Sequence, residues 1–252
     1  MQTVLIAAFS VGGATIVGTL IGFLFKNISH RFSDIVLGFA SGVMLAAAIL
    51  GLIVPSFEGR GRYTIFISVL GIFCGALVLT AIDRLVPHLH RLIGAPQEEH
   101  PISNTHIGKV MLFVLAIAIH NFPEGLAAGV GFGTGNTAEA LTIAGGIALQ
   151  NIPEGMVIVA PMLSVGVSKK RAFLIGAGTG LIEIIGTLIG YFAISISTAI
   201  LPFALAFAGG TMLYIIGDEM IPETHSHGHE LGATYSLLVG FVIMLLTDYF
   251  IG

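Results

Sequence analysis

Long apolar runs separated by short polar connections organise the chain. Eight of them stand out, near 3–25, 34–54, 64–86, 109–132, 138–163, 170–193, 199–221 and 232–251. A helix needs roughly 20 residues to cross the hydrocarbon core of a bilayer, and each run meets that length. The pattern predicts an all-α integral membrane protein of eight transmembrane helices, in one domain covering 1–252. The connections are short, and none reads as a soluble domain. The first run has no basic segment ahead of it and is expected to be a spanning helix rather than a cleaved signal peptide.

Parts of this pattern recur. GTLIG occurs at 18–22 in the first run and again at 186–190 in the sixth, an offset of 168. FASGVML at 39–45 in the second run matches FAGGTML at 207–213 in the seventh at five of seven positions, with the same offset. Runs one and six cross the bilayer in opposite directions, so the repeat is inverted. The expected layout is 3+2+3: a first repeat over about 1–90, a central helix pair over about 109–163, and a second repeat over about 168–252. Inverted repeats meeting at mid-membrane are a transporter signature. The 34 glycines fit close helix packing, as at Gly18/Gly22 and Gly186/Gly190, because small residues favour association in lipid.

Composition agrees and excludes alternatives. The chain is 55% hydrophobic and 10% charged, with mean hydropathy +0.98, whereas a soluble domain carries about 25% charged residues. Net charge is −4 with scattered basic residues, which argues against a nucleic-acid partner. A single cysteine, Cys74, excludes an internal disulfide and disfavours a thiolate metal site. Eight lysines and arginines fall on one side of the eight-run layout, against only Arg60 and Arg62 on the other. The richer side is therefore expected in the cytoplasm, with both termini outside. Every histidine except His120 lies in or beside the cytoplasmic connections. Short loops and the lack of targeting segments point to a bacterial inner membrane.

The chemistry lies in the central pair. HNFPEG at 120–125 returns as QNIPEG at 150–155, both inside apolar runs. On a helix, His120, Asn121 and Glu124 share one face, as do Gln150, Asn151 and Glu154. Pro123 and Pro153 are expected to kink each helix and to free the carbonyls of Ile119 and Leu149. Run six adds Glu183. An ionisable side chain at the bilayer centre costs roughly 2.5–3.5 kcal/mol on the insertion scale, and three close glutamates repel one another. A cation between them, or protons in its absence, resolves both problems. Carboxylate, imidazole and amide oxygen without thiolate suit Zn²⁺, with Fe²⁺, Mn²⁺ or Cd²⁺ as further candidates. Hard cations such as Ca²⁺ fit an imidazole site less well. Hydrogen-bonding glue between helices is the plainer alternative for one cassette, but explains two cassettes plus Glu183 less well.

These residues carry a resemblance. HNFPEG followed by QNIPEG in the central two of eight helices resembles the ZIP (Zrt/Irt-like) family of divalent metal transporters, bacterial type, over nearly the whole chain. The resemblance implies zinc uptake as the activity, with the metal as substrate and no cofactor. It also implies a path between runs four and five and a binuclear mid-membrane site. One metal position would comprise His120, Glu124, Gln150 and Glu154. The other would comprise Asn121, Asn151 and Glu183, with Glu124 and Glu154 bridging. A homodimer and alternating access, with runs one, four, five and six moving against the rest, follow from the same source. Many relatives have histidine where this chain has Gln150, so its site is poorer in nitrogen donors.

Peripheral candidates complete the reading. His225, His227 and His229 in THSHGHE are either metal acceptors at the exit or an ordinary loop. Asp218 and Glu219 in GDEMIPE could line the exit, and Ser41 and Met44 the entrance, although a methionine in a span usually serves packing. HLHR at 88–91 and QEEHPISNTH at 97–106 read chiefly as linker. Two other functions compete. An intramembrane zinc-dependent hydrolase would require a pattern such as HEXXH, but HNFPE lacks the second histidine and the adjacent glutamate. A slow divalent cation channel could use the same carboxylates, although tight multidentate binding opposes conduction. Uptake of protons by the glutamates as metal leaves would make transport pH-dependent. A rate flat between about pH 5.5 and 7.5 would count against that.

Overall fold

The computed structural model describes residues 1–25, 29–58, 61–92 and 118–251. Residues 93–117, which include His100, His106, Lys109 and the first part of the fourth run, lie outside the described residues, as do Lys26 and Arg60. Regular structure among the described residues is entirely helical. The elements are α1 (Gln2–Gly22), α2 (His30–Phe57), α3 (Thr64–Leu92), α4 (118–131), α5 (Thr137–Ser164), α6 (Lys169–Ile196), α7 (Thr198–Thr224) and α8 (Glu230–Ile251). Seven of these, all but α4, are long and apolar enough to cross a membrane.

Local sequence sets the helix starts. Ser29 caps α2 by accepting from the Phe32 N–H, Ser168 caps α6 through Arg171, and Asn136 caps α5 through Ala138 and Glu139. Each side-chain oxygen satisfies an N–H that the first turn leaves orphaned. Helical structure runs through Pro123 and Pro153, and the interruption in α5 falls later, at Ile158. Both α2 and α7 carry a π-helical segment, Ala47–Ile53 and Ile216–Met220. Each is followed two residues later by a proline, Pro55 or Pro222. Such wide turns recur at functional sites.

Glycines decide which helices touch. On α1, a side chain at Gly18 or Gly22 would strike the carbonyls of Ile152 or Met156 on α5. On α6, Gly186 and Gly190 meet the carbonyls of Phe122 and Leu126 on α4 in the same manner. Gly12 of α1 and Gly180 of α6 abut each other's carbonyls. Elsewhere Gly38 and Gly42 bring α2 onto α8, and Gly71 and Gly75 bring α3 onto α7. The close packing expected from small residues is therefore present at the positions the repeats mark.

The buried core joins α2, α5 and α7 with the inner face of α4, through Val43, Met44, Ile143, Ile147, Leu205, Met212 and Ala127. Phe9, Phe66, Phe73, Leu174 and Leu238 face outward. That arrangement leaves apolar surface for lipid and backs the central cassettes with packed apolar residues.

Candidate metal site

The two cassettes and α6 bring their polar side chains together in the interior. His120, Asn121, Glu124, Gln150, Asn151, Glu154 and Glu183 are all buried. Glycine sets the separation. A side chain at Gly125 would run into the Glu183 carbonyl, and one at Gly155 into the Thr15 carbonyl. Thus the last residue of each PEG triplet lets its helix press against α6 at Glu183 or α1 at Thr15.

Glu183 is the best-satisfied member. Its Oε1 accepts from the Thr15 hydroxyl at 2.6 Å and from the Asn121 amide. Its Oε2 accepts from Asn151 Nδ2 at 2.5 Å. Asn151 Nδ2 also reaches the Val11 carbonyl at 3.3 Å, while Gln150 Nε2 donates to Asn151 Oδ1 at 2.5 Å. Asn121, Asn151 and Glu183, grouped by the resemblance, are thus directly linked, and Thr15 joins them. Sequence reasoning missed Thr15, although a signal existed: it stands 168 residues before Glu183, the offset of the repeats.

Glu124 is the opposite case. Both of its carboxylate oxygens are buried without a hydrogen-bond partner among the described residues, as are Gln150 Oε1 and Asn121 Oδ1. Leaving a buried acceptor unpaired costs about 1–3 kcal/mol, more for a charged group. Glu154 and Glu183 are near enough to Glu124 to feel its charge. These four buried oxygen acceptors, beside like charge, are a donor set that a cation would satisfy.

His120 turns toward α7. Its Nε2 stands 2.8 Å from Glu219 Oε2, an ion-pair distance without hydrogen-bond alignment. Glu219 lies in the π segment of α7 and is partly exposed, and its neighbour Asp218 is exposed. The histidine of the first cassette therefore faces the π segment of α7. Among the described residues no three His, Cys, Asp or Glu side chains alone group closely enough to hold a metal ion. The donor set is mixed, with amide oxygens among the unpaired acceptors.

The peripheral residues separate. Ser41 donates its hydroxyl to the Leu37 carbonyl at 2.8 Å, and Met44 lies in the core. His225 is held on both sides, Nδ1 by the Ile221 carbonyl at 2.8 Å and Nε2 by Thr234 at 3.2 Å. His227 meets Asp34, and His229 is exposed. The side chains of HLHR and the whole of 97–106 lie outside the described residues.

This donor chemistry, in a helical membrane protein with paired cassettes, defines a class that comparison with known proteins identifies. The model of the ZIP Zinc transporter family matches residues 90–248, and the chain belongs to that family. It is 39% identical to "Zinc transporter GufA" of Myxococcus xanthus over 98% of both chains. It is 36% identical to "Zinc transporter ZIPB" of Bordetella bronchiseptica, over 95% of this chain and 78% of that one. It is 30% identical to "Zinc transporter ZIP11" of Homo sapiens, over 98% of this chain and 97% of the human one.

Proposed function

We propose that the protein carries divalent metal ions, zinc first, across a membrane into the cytoplasm through the site between α4, α5 and α6. The observation that carries this reading is the set of unpaired buried acceptors on Glu124, Gln150 and Asn121. Such atoms are stable in a membrane interior when a metal ion, or in its absence a proton, reaches them. Family membership supports zinc as the cargo. Glu124, Gln150 and Glu154, with His120 turning back from Glu219, hold one metal; Asn121, Asn151 and Glu183 hold a second, with Glu124 and Glu154 shared. Fe²⁺, Mn²⁺ or Cd²⁺ fit the same donors.

The finer architecture belongs to this proposal. Eight spans in a 3+2+3 inverted repeat are supported by the glycine contacts. Gly18 on Ile152 corresponds to Gly186 on Phe122, and Gly22 on Met156 corresponds to Gly190 on Leu126. An axis that exchanges α1 with α6 and α4 with α5 relates these pairs. The group α1, α4, α5 and α6 moves against the rest to open the site to each side in turn, and protons occupy the vacated carboxylates. A homodimer in a bacterial inner membrane, with both termini outside, completes the arrangement.

Zinc flux into proteoliposomes tests the proposal. The wild-type chain takes up zinc with saturable kinetics far below channel rates, and Glu154→Ala abolishes uptake. Equal uptake by the variant removes the second cassette from the path. A flux proportional to concentration marks a channel instead.

A further inference from the structure

A second constellation stands apart from the central site, where α2 begins and the 225–229 loop turns back. Asp34, in the second turn of α2, is 1% exposed. Its Oδ1 lies 3.0 Å from His227 Nδ1, and its Oδ2 is buried without a partner among the described residues. His30 lies four residues earlier, on the same face of α2, and stacks its ring on that of His227 at 4.2 Å. Gly228, at φ +81, takes the left-handed conformation that reverses the loop and lays His227 on α2.

We infer that His227 and His30 form a second divalent-metal site on the aqueous face, and that Asp34 is the residue that orients it. A carboxylate at Nδ1 fixes that nitrogen as the protonated one, which leaves the Nε2 lone pair available. Carboxylate–histidine pairs of this kind orient metal-binding imidazoles and raise their basicity. His227 is partly exposed and His30 exposed, so an ion reaches them from water. Releasing the His30 ring from its stack brings a second imidazole to the same ion, and water fills the remaining positions. Asp34 is an orienting group rather than a ligand, so the pair is a two-imidazole site and binds labilely.

The same geometry sorts the three loop histidines. His225 has both nitrogens engaged within the protein and serves to hold the loop. His227 alone is presented by a buried carboxylate. The ligand class is a borderline divalent transition metal, since two neutral imidazoles with water suit zinc and not the hard cations. The inference rests on the transport reading for its purpose, as a place that receives cargo from the central site. Its binding chemistry stands independently.

Zinc titration of the full-length protein in detergent, in a Glu124→Gln background that disables the central site, isolates the new one. Zinc retained by equilibrium dialysis and the imidazole signature in zinc K-edge X-ray absorption are the readouts. The background protein binds zinc with imidazole ligands, His227→Asn and His30→Asn each lose this binding, and Asp34→Asn weakens it about 10–100-fold. His229→Asn, at an exposed position of the loop, leaves it in place. Both imidazole substitutions are at solvent-accessible positions, so they report even where Asp34→Asn fails to fold. Binding that is unchanged in His227→Asn overturns the inference, as does the absence of imidazole-bound zinc in the background protein. Loss of zinc flux in wild-type proteoliposomes with this binding intact would strike the transport reading alone.

Discussion

Glu124 and Glu183 sit in the same polar cluster, yet they meet opposite fates. Glu183 collects donors from Thr15, Asn121 and Asn151, while Glu124 has the Gln150 amide beside it but no aligned hydrogen bond. Replacing Glu124 with glutamine keeps the shape and supplies two N–H donors for the neighbouring unpaired oxygens. Glu124→Gln therefore unfolds later than the wild type in metal-free detergent, by about 1–3 kcal/mol. Added zinc, which raises the wild-type midpoint through binding to the folded state, has a much smaller effect on the variant. Thermal unfolding with and without zinc checks both signs. At this scale the sequence was informative: costly side chains in apolar runs pointed to seven residues, and all seven are buried in the interior. Thr15 escaped because a threonine in a span is inconspicuous until its partner is known.

Helix contacts turn on single hydrogen atoms. Gly125 and Gly155 lie where a methyl group would strike the backbone of α6 or α1, whereas Gly178 of α6 faces open space. Gly125→Ala must push α4 from α6 and withdraw Asn121 from Glu183. A loss of about 1–3 kcal/mol, as for overpacking elsewhere, is expected together with impaired uptake. Gly178→Ala is expected to stabilise by about 0.5–1 kcal/mol through reduced backbone entropy in the unfolded chain. Comparing the two midpoints in detergent checks the contrast. The composition announced close packing but not which glycines carry it, because 34 glycines look alike in sequence and differ only in what faces them. Helical structure continues through Pro153 and breaks its regular pattern only at Ile158, since helix continuity depends on the surrounding contacts as well as the missing N–H.

For the molecule as a whole, movement of one helix group against the other demands that α5 part from α2. A Cβ at Gly51 of α2 would stand 3.9 Å from the Ile143 Cβ of α5, within the range of a disulfide. Gly51→Cys with Ile143→Cys, in a Cys74→Ser background, therefore cross-links the groups on oxidation. Zinc uptake in proteoliposomes stops on oxidation and returns on reduction. Uptake that continues through the cross-link would contradict the proposed motion. The apolar runs determined the helical membrane class, and the shared offset and twin cassettes pointed to the candidate residues that the interior buries, because each is a local pattern repeated along the chain. Which carboxylate is satisfied, that His120 reaches Glu219, and that Asp34 holds His227 were decided only by the tertiary structure. Those partners lie as much as 193 residues apart in the chain, and only helix packing brings them within reach of one another.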